Sequence, residues 1–298
     1  MAFQTGLCNP SDSPLPGGPL GVYYDHMLPP DYHMHTPLCH HAVGEPVEYA
    51  RRARDLGLSE IGFTDHSPMA RDDFDPRSRW RMLYGELDDY IAAVELARRE
   101  VPEVTIRIGL EVDFVPGHEN WIQQLAELHG WDFFIGSVHY LTNDFAVDDP
   151  LDIPKWKDHE PQKIWQKYFE LLTQAAGSGL FDIVGHADLP KKFSFQPPRD
   201  YAQLYDDFLG AVARTGIAIE LNTAGLRKDC KEIYPSRQIL ESAFARRIPI
   251  TFGSDAHAPE EVGADFEAAV WLALEVGYQS SIRFEKRQCR PGVMLAAS

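Results

Sequence analysis

The sequence predicts an α/β fold, a seven-stranded barrel of parallel strands. Two observations lead there. Seven short apolar runs alternate with helical patterns along the chain, and alternation of this kind implies parallel strands joined by right-handed crossovers. The 298 residues, 44% of them hydrophobic, are enough to bury one barrel core. Seven units suit a barrel better than an open, doubly wound sheet, which stands as the alternative.

The elements follow in order. Residues 1–30 are rich in Pro, Gly and Ser and read as an irregular leader of disorder-prone composition. Residues 31–298 read as one barrel domain. Its strand-like runs are DYHMH (31–35), EIGFTDH (60–66), TIRIGLEVDF (105–114), FFIGSVHY (133–140), DIVGHAD (182–188), IAIELNT (217–223) and PITFGSDAH (249–257). Helical patterns fall near 46–57, 84–100, 119–129, 161–177, 200–215, 236–246 and 263–277. Pro46 stands where a first-turn proline is tolerated. Leu87, Tyr90, Ile91, Val94 and Ala97 recur at helical spacing, as do Phe266, Ala269, Val270 and Ala273. Nothing in the pattern assigns an element to residues 278–298.

The formal charge is −17. Such an acidic surface repels nucleic acid, whose binding needs a basic footprint. A phosphate-bearing small molecule must then be met by local cations. No apolar run reaches eighteen residues, and no basic segment precedes an apolar stretch at the N-terminus, so neither a membrane helix nor a signal peptide is expected. Cys8, Cys39, Cys230 and Cys289 are widely separated and form no CxxC pair. A reducing cytoplasm is the expected location.

Placement makes the twelve histidines informative. The first run ends in His33 and His35, with His41 shortly after. The second ends in Asp65 and His66, and the third carries Glu111 and Asp113. The fourth ends at His139, the fifth carries His186, and the seventh ends in Asp255 and His257. In a parallel barrel all C-terminal strand ends share one mouth. Alternation puts His33 beside His35 and Asp255 beside His257. A lone strand-end histidine is usually structural, and His26, His118, His129 and His159 read that way. Seven histidines with Glu111 and Asp255 make nine N/O ligands, too many for one ion and enough for two or three. Imidazole and carboxylate suit Zn, Mn and Fe alike.

The segments HMHTPLCHH, FTDHSP, GLEVDF, GSVHY, DIVGHADLPKK, ELNTAGLRK, YPS and ITFGSDAHAPEEVG resemble the motifs of histidinol-phosphate phosphatases of the PHP family, over roughly residues 31–265. The resemblance implies a distorted seven-stranded barrel with a trinuclear metal site that hydrolyses a phosphate monoester through a metal-bridging hydroxide. Carried over by position, His33, His35, Glu111 and Asp255 hold the first metal. Glu111, His139 and His186 hold the second, and His41, His66 and His257 the third. The spacing favours His41 over His40.

Asp65 and Asp255 are candidates for proton handling or for orienting histidines. Arg227, in NTAGLRK, is the first candidate to grip substrate phosphate, because a guanidinium fork suits it. Lys191 and Lys192 are further candidates. Cys39 reads as packing rather than a soft-metal ligand. Trp80, Trp121, Trp131 and Trp156 read as packing rather than a stacking box. Rival readings are a nucleotide phosphatase or nuclease on the same site, a metal-binding domain without turnover, and an amidohydrolase. The last lacks an obvious metal-bridging lysine at a strand end.

Overall fold

The computed structural model describes residues 28–70, 80–197 and 201–296. The expected leader therefore lies outside the described residues except for its last three, and His26 and Cys8 lie outside with it.

Along the chain come α1 (Pro46–Asp55), β1 (Glu60–Phe63), α2 (Leu87–Glu100), β2 (Thr105–Asp113), α3 (Glu119–Leu128) and β3 (Phe133–Ser137). A short hairpin, β4 (Tyr140–Thr142) and β5 (Phe145–Ala146), leads to α4 (Ile153–Asp158) and α5 (Pro161–Gly177). Then follow β6 (Ile183–Val184), α6 (Tyr201–Thr215), β7 (Ala218–Asn222), α7 (Arg237–Ala245), β8 (Ile250–Gly253) and α8 (Phe266–Val276). An antiparallel pair, β9 (Ser280–Glu285) and β10 (Gln288–Met294), ends the described chain.

Six strands form one parallel sheet in the order β1-β2-β3-β6-β7-β8. The extended segment 31–35 closes it: Asp31 bridges both Ile61 of β1 and Phe252 of β8, and Met34 bridges Ala256. A closed ring decides against the open sheet. The seven expected strands are not equal, however. Segment 31–35 pairs through isolated bridges rather than a ladder, and β6 has two residues. The predicted runs overshoot because their last residues leave the ladder where they carry polar side chains. His139 and His186 both lie beyond the ends of their strands.

The helices form where the stripes predict them. In α2, Leu87, Tyr90, Val94 and Ala97 are buried, and in α8 Phe266, Ala269, Val270 and Ala273. All four residues of β1 and all five of β3 and of β7 are buried. Strands covered on both faces read as continuous apolar runs, which is why they were legible.

Two regions carry structure the sequence pattern missed. The stretch between β3 and α5 contains the β4–β5 hairpin and α4. The C-terminal stretch forms the β9–β10 hairpin, which closes the N-terminal end of the barrel. Phe284 is buried with Tyr32, Phe133, Ile135, Ile183 and Ala218. Its ring centroid lies 5.9 Å from that of Phe133 and 6.1 Å from that of Tyr32. Polar contacts fasten the hairpin there: Arg287 N donates to Asp132 O at 2.8 Å, and Arg107 Nη1 donates to Glu285 Oε1 at 3.1 Å. One end of the barrel is plugged by hydrocarbon, and the other is left to polar chemistry.

Candidate metal centre

Each strand end delivers polar side chains to the open mouth, and Glu111 stands at their centre. Its Oε2 is 2.9 Å from His66 Nδ1, 3.3 Å from His33 Nε2 and 3.7 Å from His35 Nε2. Its Oε1 is 2.9 Å from His186 Nε2 and 3.5 Å from His139 Nε2, and it accepts from Ser137 Oγ at 2.6 Å. Five imidazoles thus surround one buried carboxylate. Asp255 adds a second carboxylate, with Oδ1 3.2 Å from His35 Nε2 and 3.8 Å from His33 Nε2. Its backbone holds φ of 53°, a left-handed conformation unusual outside glycine. Such strain is typical of functional sites.

The remaining imidazoles form an outer group. His41 Nε2 lies 2.9 Å from His257 Nε2, and the His35 and His257 rings stack with centroids 4.1 Å apart. His41 reaches the cluster. His40 does not: its side chain is 40% exposed and points toward Glu86, 4.0 Å away. His118, His129 and His159 take no part. His159, for one, bonds Lys155 O at 2.8 Å in the α4 turn.

The cluster fits divalent cations by an internal criterion. His33 Nε2 and both ring nitrogens of His35 are fully buried and have no hydrogen-bond partner. Unpaired polar atoms at such depth are costly. Donor atoms of His33, His35 and Glu111 lie within 4.8 Å of one another, as do those of His66, Glu111 and His139, and those of His35, His66 and His257. Cys39 Sγ lies equally near His41 and His257, although the residue is fully buried.

Electrostatics support the same fit. Burial disfavours charge on His33, His35, His41, His66, His139 and His257. For His35, the nearby carboxylates of Asp255 and Asp65 outweigh it and raise the pKa to about 9. For His139, Asp113 and Glu111 do so, to about 10. His41 faces other imidazoles, so burial and then His66 and His35 lower it to about 4. Burial and His35 likewise hold His257 well below the usual range. Burial raises the Glu111 carboxyl, but His66, His33 and His139 outweigh it and keep it well below the usual carboxylate range. The carboxylates thus draw positive charge onto His35 and His139, a charge that a divalent cation would supply in place of those protons, while His41 and His257 stay neutral and ready to coordinate.

Behind the cluster stands a set of orienting carboxylates. Asp65 is fully buried and accepts from Thr36 N at 3.1 Å and His66 N at 2.8 Å, with His35 Nδ1 at 3.5 Å. Asp113 Oδ1 lies 2.8 Å from His139 Nδ1 and Oδ2 accepts from Arg81 Nη1 at 3.0 Å. Glu220 is the residue that sequence reasoning missed. Its Oε1 holds His33 Nδ1 at 2.7 Å, while Oε2 accepts from His186 N at 2.9 Å. The available signal was a single carboxylate inside the apolar run IAIELNT. Gly253 permits this contact, since a Cβ there would sit 2.0 Å from Glu220 Oε1 and 2.6 Å from His33 Cβ. Outer partners of ligating histidines typically contribute ten- to a hundredfold in metal affinity. Glu220→Gln is therefore expected to weaken metal binding by roughly that factor. A metal titration giving wild-type affinity would remove the orienting role.

The cluster opens into a cavity of about 450 Å³. His41, His66, Glu111, His139, His186, Asp255 and His257 line its floor, and Trp80, Asp148, Lys192, Phe193, Lys228 and Tyr234 are among its walls. Trp80 thus faces the cavity, edge-on to His41 at 5.0 Å, rather than packing in the core. Of the three cations expected on the substrate, Lys192 alone lines the cavity. Lys191 is 4% exposed and is consumed by Asp188 and Glu232, each at 3.0 Å, and by Ile233 O at 2.8 Å. Arg227 turns its Nη2 onto Ser254 O at 2.6 Å, with Glu261 at 3.5 Å and Asp265 at 3.8 Å. Neighbouring acids and a carbonyl divert both from the mouth, which a motif cannot reveal.

The model of the PHP domain matches residues 31–224. A Deinococcus radiodurans protein named "Probable histidinol-phosphatase" is 42% identical over 88% of this chain and 98% of its own length. The "Histidinol-phosphatase" of Bacillus subtilis is 30% identical over 80% of this chain and 97% of its own. Among solved structures, histidinol phosphate phosphatase from Lactococcus lactis, complexed with zinc, L-histidinol and phosphate, superposes with a TM-score of 0.74 at 21% identity. That match covers 89% of this chain and 99% of the other.

Proposed function

The chain belongs to the PHP domain family, and from that premise we propose that it is a metal-dependent histidinol-phosphatase, which hydrolyses L-histidinol phosphate to L-histidinol and phosphate in histidine biosynthesis. The observation that carries this reading is the convergence of five imidazoles on Glu111 at the floor of a cavity sized for a small phosphate ester.

In this reading His33, His35, Glu111 and Asp255 hold one ion. Glu111, His139 and His186 hold a second, and His41, His66 and His257 a third. Divalent ions so held neutralise a phosphate monoester, activate water and stabilise the attacking and leaving oxygens. The chain's own side chains do the rest. Glu220, Asp113 and Asp65 fix the rotation of His33, His139 and His35. Of the roles open to Asp65, burial without cavity access favours orientation over proton transfer. Asp255 faces the cavity with its side chain 18% exposed and is the better placed to pass a proton. Lys192 meets the phosphate.

The substrate is a small molecule, not nucleic acid, consistent with a net charge of −17. The enzyme works in the cytoplasm, in keeping with Cys39 and Cys230 as free thiols. No helix among the described residues is long and apolar enough to cross a membrane.

The test is phosphate release by protein stripped of metal and reloaded with Zn, Mn or Fe. L-histidinol phosphate is compared with a nucleoside monophosphate and p-nitrophenyl phosphate, and elemental analysis accompanies each sample. The expected result is two or three ions per chain and highest kcat/KM on L-histidinol phosphate. Preference for the nucleotide would move the chain to another phosphoesterase activity. Inactivity on all three esters with every metal would leave a binding domain without turnover.

A further inference from the structure

We propose that Asp148 is the specificity-determining carboxylate of the cavity, binding the ammonium group next to the substrate phosphate while its partner Lys192 binds the phosphate itself. The inference rests on the reading of the substrate as an amino-alcohol phosphate.

Asp148 follows β5, in the turn that the β4–β5 hairpin brings over the metal centre. Val147 N donates to His139 O at 2.8 Å, which anchors this turn beside a ligand-bearing strand end. Asp148 and Lys192 both line the cavity. Lys192 Nζ donates to Asp148 Oδ2 at 3.0 Å and to Asp148 O at 2.8 Å. The two side chains are 25% and 18% exposed, so both remain reachable from the cavity.

The other carboxylates of the wall and floor have fixed duties. Asp113 is clamped between Arg81 and His139, Asp149 caps the next turn through Leu151 N, and Glu261 accepts from His257 N. Glu111 and Asp255 belong to the imidazole cluster. Asp148 differs, because its one side-chain partner among the described residues is a cation that also faces the cavity. A primary amine two carbons from a phosphate ester oxygen is a close pair of opposite charges. A lysine and an aspartate 3.0 Å apart, both turned to one cavity, are its complement. A phosphate ester without the amine would leave the aspartate unanswered, which is how polar sites reject analogues.

The experiment compares L-histidinol phosphate with its desamino analogue, 3-(imidazol-4-yl)propyl phosphate, on metal-loaded enzyme. The readout is the ratio of the two kcat/KM values. Wild-type enzyme should favour the amine-bearing ester, and Asp148→Asn should reduce that ratio roughly ten- to hundredfold, the value of one charge-assisted hydrogen bond. Asp148→Ser should do the same, should the amide disturb folding. A purely structural role, exerted by holding Lys192, would alter phosphate binding for both esters and leave the ratio where it was. An unchanged ratio in either folded variant therefore overturns the assignment of Asp148 alone. Wild-type enzyme that does not favour the amine-bearing ester overturns the reading of the substrate and this inference with it.

Discussion

Glu111→Gln is expected to lower kcat/KM by roughly a hundred- to ten-thousandfold while the protein stays folded. Glutamine keeps the shape and removes the charge. The carboxylate lies within 3.7 Å of a ring nitrogen from each of His33, His35, His66, His139 and His186. A lost or misplaced ion would forfeit several kcal/mol of charge stabilisation in the transition state, a rate loss of the stated order. An amide holds divalent cations more weakly than a carboxylate, so metal content should fall alongside activity. The fold should survive, because the barrel's aromatic core lies at the opposite end. Elemental analysis and kinetics together check this. Near-normal rate and metal content in a folded variant would remove Glu111 from the centre of the site.

Phe284→Ala should destabilise the protein by about 3–5 kcal/mol, as deletion of a buried aromatic typically does. Phe284 is 2% exposed and seals the barrel end against Tyr32 and Phe133. Those rings sit on the segment and strand that close and centre the sheet, so they cannot readily collapse into the space. The measurement is the denaturant midpoint at unchanged slope. The loss should leave metal affinity at the opposite mouth nearly intact. A midpoint shift corresponding to less than about 0.5 kcal/mol, the cost of a surface change, would mean the hairpin does not close the barrel.

The two positions differ in how far the sequence announces them. Glu111 was legible because its neighbours in sequence are strand residues and its neighbours in space are other strand ends. Barrel topology converts the first fact into the second. The same logic made His33, His35, His66, His139, His186, Asp255 and His257 legible, since their positions along each run determine which mouth they face. Phe284 was not legible. It lies in a segment with neither helical nor strand alternation strong enough to name, and its partners are 252 and 151 residues away in sequence.

Residue type and spacing by themselves determined the helices, the parallel strands and the histidine- and carboxylate-rich mouth, because those depend on local periodicity and on a topology that periodicity implies. Only the tertiary structure decided the rest. It made segment 31–35 a bridged closure rather than a full strand, because that segment must pair both ways and still deliver two histidines. It revealed Glu220, because a carboxylate inside an apolar strand says nothing of which ring it will meet. It turned Arg227 to Ser254 O and Lys191 to Asp188 and Glu232, leaving Lys192 at the cavity. A long cationic side chain goes to whichever acceptors surround it, and those acceptors come from segments that the chain brings together only when it folds.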